Sequence, residues 1–321
     1  MAKVPSSEDY QIATHRNSDR LGKHGSIRPI GVARITAIMP RQPLIVNFAP
    51  TGAVADNTRN PNVPLTRERI VEDVSVAVRL GASIAHLHVR DGHASPSCDP
   101  SHFADLFGAL RSNPDCSNVI LCASTSGRHG QTKEQRASVL DLPAAVRPDM
   151  ASLTLGSVNF PNSVSVNAPD TIRYLAQRMK QQRVKPELEV FDIGMIEFAK
   201  ALISEGLLAP PFYFNLILGN ASGLQAKPEH VEFALRCLPD ESIVTVGGIG
   251  RNQVEASALG TMMADGIRTG LEDNIWAAWD PVKVPASNAQ LVMASLKFAE
   301  ALRRDVAEPL QVRKQLRLAY C

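Results

Sequence analysis

Residues 242–250 read Ser-Ile-Val-Thr-Val-Gly-Gly-Ile-Gly, a run of β-branched residues that passes directly into glycine. A strand with one solvated face would alternate polar and apolar residues, and the segment from Ile243 to Val246 shows no such alternation. Both faces of this strand should therefore be covered, which is typical of a parallel sheet flanked by helices. The glycines predict a tight turn after it, and in a barrel the loops after the last two strands often hold phosphate.

Seven further runs of similar composition lie along the chain, and stretches of helical periodicity separate them. One of these helices should begin at Thr66 and end at Gly81, because both are preferred capping residues. Another should begin at Pro169, and the last should run from about Ser287 to Arg304. The eight predicted strands are Leu44–Phe48, Ser83–Val89, Asn118–Ser124, Met150–Leu155, Glu187–Phe191, Phe212–Leu218, Ser242–Gly247 and Gly266–Leu271.

Eight strand–helix repeats within 321 residues predict the α/β class and a single (βα)8 TIM barrel. An open, doubly wound sheet is the alternative, but no Gly-x-Gly-x-x-Gly motif follows the first strand, which argues against a dinucleotide-binding domain. The predicted barrel domain spans residues 41–321. Residues 1–40 show little periodicity and are interpreted as an N-terminal arm.

The composition excludes several classes of protein. A formal net charge of +2 is too small for a nucleic-acid-binding surface, and no apolar run approaches the roughly 18 residues that cross a bilayer. The polar N-terminus lacks the apolar core of a signal peptide. The five cysteines are odd in number and include no Cys-x-x-Cys motif, so a disulfide framework is not expected. We therefore predict a cytoplasmic protein that binds neither nucleic acid nor membrane.

The most specific local feature is the pair of histidines in Ala85-His86-Leu87-His88-Val89. Residues two apart on a strand share a face, so both imidazoles should point the same way near the carboxyl end of the second strand. Barrel enzymes carry their reactive groups at that end, and two neutral imidazoles aimed at one point suit zinc. The alternative is a pair of core histidines bonded to carbonyl groups.

A zinc site in an enzyme usually has three protein ligands, and Glu272 is the best third candidate. It ends the predicted eighth strand, which only the first strand should separate from the second in a closed barrel. Arg268 lies four residues earlier and would share its face in an extended strand. The alternative is a solvated loop with an Arg–Glu pair.

Polar residues end other predicted strands as well. Glu187 and Glu189 share a face, so one or both should point into the site, where a carboxylate could act as general base; a structural ion pair is the alternative. No Gly-x-Ser-x-Gly motif occurs, and the serines and threonine that end strand three are interpreted as hydrogen-bond donors to a bound carboxylate or thioester. The strand-end hydroxyl residues are Thr51, Ser124, Thr125, Ser126, Ser152 and Thr154.

Taken together, these motifs resemble those of the β-keto acid cleavage enzyme family. The resemblance runs from about Leu44 to Leu318 and leaves out the N-terminal arm. It is carried by five segments: His-Leu-His-Val-Arg-Asp at 86–91, Pro-Glu-Leu-Glu-Val-Phe-Asp at 186–192, Gly-Gly-Ile-Gly-Arg at 247–251, Gly-Leu-Glu-Asp-Asn at 270–274 and Ser-Asn-Ala-Gln-Leu-Val at 287–292.

The resemblance implies a zinc-bound barrel that condenses a β-keto acid with acetyl-CoA to give acetoacetate and the CoA ester of the shortened substrate. It also implies a homo-oligomer, a tetramer by family likeness. Position 152 is a threonine in the family, and Arg251 is a candidate contact for CoA. By residue-by-residue match, the implied metal ligands are His86, His88 and Glu272, and the implied polar groups around the substrate are Ser124, Glu189, Arg268 and Asp273.

Two departures from the family pattern concern the substrate. The type enzyme, which acts on an amino keto acid, carries a glutamate for the amino group at the position of Val54, and a valine cannot pair with an ammonium group. Thr154 replaces an asparagine. We therefore predict a β-keto acid with an uncharged tail.

Two rival functions keep the same barrel. The first is a zinc-dependent aldolase or hydrolase that acts on a keto acid without CoA. The second is a binding or assembly protein without activity, which the retained ionisable residues at the strand ends argue against.

Overall fold

Eight parallel strands close into a barrel in the computed structural model, which describes residues 42–319 except 55, 129 and 162. The predicted arm at residues 1–40 lies outside the described residues. The eight strands are β1 (Ile45–Phe48), β2 (Ile84–Leu87), β3 (Ile120–Ala123), β4 (Met150–Thr154), β5 (Lys185–Val190), β6 (Phe212–Leu218), β7 (Ser242–Gly248) and β8 (Gly266–Thr269).

The barrel prediction is confirmed, and each predicted strand coincides with an observed one. Strand β1 pairs in parallel with β2 on one side and with β8 on the other, so the sheet has no free edge. The open, doubly wound alternative is therefore wrong. Two predicted strands were too long at their carboxyl ends. Strand β2 ends at Leu87 rather than at Val89, so His88 lies just past the strand, and β8 ends at Thr269 rather than at Leu271.

Helices connect the strands and cover the outside of the barrel. Helix α1 begins after Thr66, whose side chain accepts a hydrogen bond from the Arg69 amide, and ends at Gly81 with φ of 118°, as predicted. The helices in the described part of the chain are α1 (Arg67–Leu80), α2 (Pro100–Ser112), α3 (Lys133–Ala137), α4 (Pro169–Gln182), α5 (Ile193–Ser204), α6 (Pro228–Cys237), α7 (Asn252–Met263), α8 (Asn288–Ala301) and α9 (Pro309–Gln315), with 3₁₀ turns at Pro114–Cys116, Ser138–Asp141 and Ala144–Val146.

Of the last two helices, α8 was predicted and α9 was not. Ser287 and Gln290 form a capping box at the start of α8, as the predicted boundary requires, but this helix ends at Ala301, short of Arg304. In α9, Val312 and the residue directly after the helix, Leu316, pack against inward-facing residues of the first strands, so α9 closes the amino-terminal end of the barrel.

Three short antiparallel strand pairs follow β2, β4 and β8 and therefore stand at the carboxyl ends of the barrel strands. They pair Val89–Arg90 with Pro96–Ser97, Val158–Phe160 with Ser163–Ser165, and Trp276–Ala278 with Val284–Pro285. Among the described residues, no helix is both long enough and apolar enough to cross a bilayer.

Candidate active site

A fully buried carboxylate, Glu187 on β5, lies at the centre of the barrel. Its Oε1 accepts hydrogen bonds from the amides of Asn47 at 2.6 Å and Asn215 at 3.2 Å. Its Oε2 lies 2.6 Å from His86 Nδ1 and accepts a weaker bond from the Cys122 thiol at 3.3 Å. Every one of these partners comes from a different strand, so the network ties β5 across the barrel to β1, β2, β3 and β6.

This network fixes the ionisation and the orientation of His86. Burial is the largest single influence on both groups and opposes their charge, but the surrounding charges and hydrogen bonds together outweigh it. The pKa of Glu187 falls to about 2, and the carboxylates of Glu187 and Glu272 raise the pKa of His86 to about 9. Because Nδ1 is held by Glu187, Nε2 is the nitrogen that faces the end of the barrel. A metal ligated there would displace the proton from Nε2, as metal binding to histidine requires.

The three residues predicted to bind metal converge at this point. His86 Nε2 lies 3.8 Å from Glu272 Oε2, and His88 Nε2 lies 3.3 Å from Glu272 Oε1. The two imidazole centroids are 5.5 Å apart. One ligand atom from each of the three residues lies within 4.8 Å of the other two. The buried Glu272 Oε2 makes no hydrogen bond with any described residue. Two imidazoles and an unsatisfied carboxylate oxygen fit a zinc ion with an open fourth position.

A second group, formed by His86, Cys122 and Glu187, has similar spacing but fits a metal less well. Burial raises the pKa of Cys122 well above its ordinary value, so the thiol keeps its proton. The oxygens of Glu187 are already engaged by amide donors and by Nδ1 of His86. This group therefore orients His86 rather than binding an ion.

Glu272 reaches the histidines from a turn and not from a strand. Gly270 has a φ of 146°, and a Cβ there would lie 2.0 Å from the carbonyl oxygen of Ala49. Glycine is therefore required where the chain leaves β8 against β1. Gly52 leaves room from the other side, because a Cβ on it would lie 2.6 Å from Glu272 Cγ.

Arg268 is 1% exposed and binds three carboxylates. Its Nε and Nη2 donate to the two oxygens of Asp273 at 2.7 and 3.2 Å, and Nη2 also lies 2.9 Å from Glu272 Oε1. Nη1 is 3.6 Å from Glu189 Oε1 and makes no hydrogen bond within the described residues. Burial lowers the pKa of the guanidinium, but the surrounding carboxylates outweigh it and raise the pKa well above its ordinary value.

The carboxyl groups around Arg268 differ in ionisation. Burial also acts on Glu272, but Arg268 and the two histidines hold the pKa of that carboxyl well below its ordinary value. Burial instead dominates at Glu189 and Asp273 and raises the pKa of each. Thr154 Oγ1 donates to Glu189 Oε2 at 2.6 Å, which fixes that carboxyl toward the cavity. A site with one firmly ionised carboxylate and two carboxyl groups of raised pKa is suited to proton abstraction.

These groups line a cavity of about 440 Å³ at the carboxyl end of the barrel. Four predicted site residues are not among its lining. Ser152 and Thr125 bond to each other, with Thr125 Oγ1 donating to the Ser152 carbonyl at 2.6 Å. Thr51 is buried, and its Oγ1 lies 3.4 Å from Arg90 Nη2. Arg251 is exposed at the start of α7. Ten predicted residues line the cavity: Val54, His86, His88, Ser124, Ser126, Thr154, Glu189, Arg268, Glu272 and Asp273.

Several lining residues were not predicted. Arg128 lies in the wall with its guanidinium carbon 3.6 Å from the centre of the Phe160 ring, and its buried Nε makes no hydrogen bond with a described residue. Trp276 and Trp279 also line the cavity. They are the two tryptophans of the chain and lie three residues apart directly after the Glu272 motif, a signal that the sequence offered.

Comparison with known proteins assigns the family. The sequence model of the beta-keto acid cleavage enzyme family matches residues 43–318. The chain belongs to this family. A 3-keto-5-aminohexanoate cleavage enzyme from Fusobacterium nucleatum subsp. nucleatum is 35% identical over 276 residues, covering 86% of this chain and 98% of the relative. A 3-oxoadipate:acetyl-CoA acetyltransferase from Cupriavidus necator is 36% identical, covering 86% of this chain and 95% of the relative.

The family membership confirms the resemblance and the prediction of an enzyme of the acyltransferase and cleavage type. A binding or assembly protein without activity is therefore not favoured. The apo structure of ObcA superposes with a TM-score of 0.65 at 22% identity, over 80% of this chain and 66% of the ObcA chain. At that identity the likeness shows the barrel fold alone.

Glu187 should control metal affinity although it is not a metal ligand. The variant Glu187→Gln keeps the size of the side chain but removes the charge that orients His86, so we expect zinc affinity to fall about 10- to 100-fold. Titration against a competing chelator measures this. Glu229→Gln, an exposed change at the start of α6, is the control. Unchanged zinc affinity in a folded Glu187→Gln variant would contradict the role of Glu187 in orienting His86.

Proposed function

We propose that this enzyme condenses a β-keto acid with acetyl-CoA and releases acetoacetate and an acyl-CoA. The observation that supports it most is the convergence of His86, His88 and Glu272 beside two basic carboxyl groups in one cavity. Relatives that are 35–36% identical to this chain are named for 3-keto-5-aminohexanoate cleavage and as an acetyl-CoA acetyltransferase of 3-oxoadipate. The reaction balances, because the acetyl and acyl groups exchange partners and nothing is oxidised or reduced.

Zinc is the proposed metal, held by His86, His88 and Glu272. When bound it would polarise the β-keto oxygen as a Lewis acid and acidify the α-proton. The residues around it have separate tasks. Glu187 holds the His86 ring with Nε2 toward the cavity, and Arg268 keeps Glu272 ionised.

We assign removal of the α-proton to Glu189 or Asp273. Both line the cavity, both have a raised pKa from burial, and both contact the Arg268 guanidinium. The resulting carbanion forms a bond to the acetyl carbon of acetyl-CoA and expels the CoA thiolate. The thiolate then attacks the former keto carbon, the original Cα–Cβ bond breaks, and the carboxylic acid returns its proton to acetoacetate.

The base can be identified by hydrogen exchange without acetyl-CoA. In D₂O the wild type should exchange the α-protons of a keto acid, and loss of the base should slow this exchange about 10²- to 10⁴-fold. We expect that loss in Glu189→Gln or in Asp273→Asn, as followed by NMR. Exchange at the wild-type rate in both variants would contradict the assignment of either carboxylate.

The keto acid needs an anchor for its own carboxylate, and Arg128 is placed for that role. Arg128 lines the same cavity as Ser124, its guanidinium carbon lies 3.6 Å from the centre of the Phe160 ring, and no described residue bonds its Nε. A planar guanidinium is well matched to a carboxylate. The predicted Ser124 hydroxyl would add a second donor.

The tail of the substrate is proposed to be uncharged. Val54 lines the cavity at its mouth and is 60% exposed, and it offers no charge to an ammonium group. Thr154, the second departure from the family pattern, is engaged with Glu189 and contributes a hydroxyl rather than an amide. The change at Val54 therefore favours a neutral tail over an amino-substituted one, and the change at Thr154 further alters the pocket.

A direct assay tests this function and separates it from its rival. Acetoacetate is measured with a panel of β-keto acids that carry neutral, amino-substituted or carboxylated tails, with and without acetyl-CoA. We expect acetoacetate only with acetyl-CoA, and fastest with neutral tails. Consumption of keto acid without acetyl-CoA would support the zinc-dependent aldolase or hydrolase, and a preference for the amino-substituted acid would contradict the role of Val54.

Oligomeric state and cellular location remain part of the proposal. We infer a homotetramer in the cytoplasm, in which exposed valines such as Val164 and Val166 would be covered. Light scattering should give four times the chain mass of 34.7 kDa.

A further inference from the structure

An aromatic and cationic cluster stands at the mouth of the cavity, and it includes Arg251, the candidate contact for CoA. The rings of Trp276 and Trp279 are 6.4 Å apart in a T-shaped arrangement. The cation of Lys283 lies 5.6 Å from the first ring and 5.4 Å from the second. Arg59 lies 5.8 Å from Trp276, and Arg251 lies 5.3 Å from Trp279. We call these five residues the cationic rim.

The rim is accessible, and its charges are only loosely paired. Arg59, Arg251 and Lys283 are all exposed. Asp280 is the acidic neighbour of Arg251, at 4.0 Å, and both side chains are mostly exposed, so this pair is weak and easily exchanged for another anion. Asp56 lies on the same side as Arg59 but is already bonded by the amide and hydroxyl of Thr58.

The glycine run at 247–250, between β7 and α7, packs against the rim. Gly250 has a φ of 61°, and a Cβ on it would lie 3.5 Å from the Trp279 ring. Its amide donates to the carbonyl of Asp273 at 2.7 Å, so this amide is not free for a phosphate. The turn therefore positions Trp279 and Arg251 rather than forming an anion site from backbone amides.

We propose that the cationic rim binds the nucleotide part of acetyl-CoA, a nucleoside 3′,5′-bisphosphate. The inference rests on the proposed function, which requires the thioester inside the cavity beside Glu189. The nucleotide end of the same molecule then has to leave through the mouth, past the rim. Its phosphates meet Arg59, Arg251 and Lys283, and its adenine ring stacks on an indole.

The probe is adenosine 3′,5′-bisphosphate, which carries this nucleotide without a thioester. Because both tryptophans of the chain belong to the rim, tryptophan fluorescence reports on the rim alone. We expect a saturable change in fluorescence when the probe is added, and weaker binding at higher salt. Absence of a saturable change would overturn the proposal.

The test variant is a double variant that combines Arg251→Gln with Lys283→Gln. The control is Lys297→Gln, a matched change at an exposed position of α8. The double variant should weaken probe binding about tenfold or more, because two charge-assisted contacts are lost, and the control should leave it unchanged. Equal affinity in all three proteins would overturn the proposal. All the changed side chains are exposed, so folding should be retained.

Kinetics provide a second readout and separate this proposal from the proposed function. In the double variant the KM for acetyl-CoA should rise about tenfold, whereas the KM for acetyl-pantetheine, which lacks the nucleotide, should not change. A parallel rise for both thioesters would overturn the role of the rim. Probe binding at the rim in a protein that makes no acetoacetate would support the rim and contradict the proposed function.

Discussion

His88→Ala should reduce acetoacetate formation by about a thousandfold or more, because a zinc ion left with two protein ligands is bound weakly and its position is lost. His88 Nε2 lies 3.3 Å from Glu272 Oε1, and burial lowers the pKa of the imidazole, so the neutral form that metals require is favoured. Removing the ring leaves only His86 and Glu272 at this point. Metal content and turnover are measured on the same preparation.

The control for this experiment is His93→Ala, which removes an exposed imidazole in the hairpin after β2 and outside the cavity. It should retain both zinc and activity. A folded His88→Ala protein that keeps one equivalent of zinc would contradict the assignment of this ligand. Zinc lost with activity retained would show that the metal is structural and would favour a reaction that does not need it.

Arg268→Met should destabilise the protein by about 3–5 kcal/mol, because it leaves buried carboxylates without their cation. Arg268 is 1% exposed and contacts Asp273, Glu272 and Glu189 within 3.6 Å. The methionine fills much of the space, so the main loss is electrostatic. Urea unfolding of the metal-free protein measures the change in free energy of unfolding.

Two further variants test whether the loss of charge causes the lower stability of Arg268→Met. Arg236→Met breaks an exposed pair with Glu232 and should change the free energy of unfolding by less than about 0.5 kcal/mol. Adding Asp273→Asn to Arg268→Met removes one of the unpaired carboxylates and should restore part of the stability. A double variant as unstable as the sum of both single changes would show that packing, not charge, determines the loss.

The fold was predictable because its signals are local. The β-branched run at 243–246 and the seven other largely apolar runs mark the strands, and capping residues such as Thr66 and Gly81 mark the helix ends. The predicted boundaries are wrong where tertiary contacts override the local sequence pattern. Strand β8 stops two residues early because Gly270 must pass the Ala49 carbonyl, and α9 was missed because a seven-residue helix carries little periodicity.

The site was predictable in part for the same reason. Residues two apart on a strand share a face, so His86 and His88 could be placed together, and the barrel order brought the end of β8 to them. The tasks of the two strand-five glutamates could not be separated in this way. Glu187 and Glu189 share a face, but they lie at different depths in the barrel, one against His86 and the other against Thr154.

The sequence by itself therefore determined the barrel, its eight strands and the histidine pair, since each follows from the period of a strand or from a capping residue. Only the tertiary structure decided which polar strand ends face the cavity, because Thr125 and Ser152 satisfy each other across two strands while Arg128 and two tryptophans enter from loops. It also decided that Glu187 orients His86. That contact joins residues 101 positions apart, and only the closure of the barrel sets such a distance.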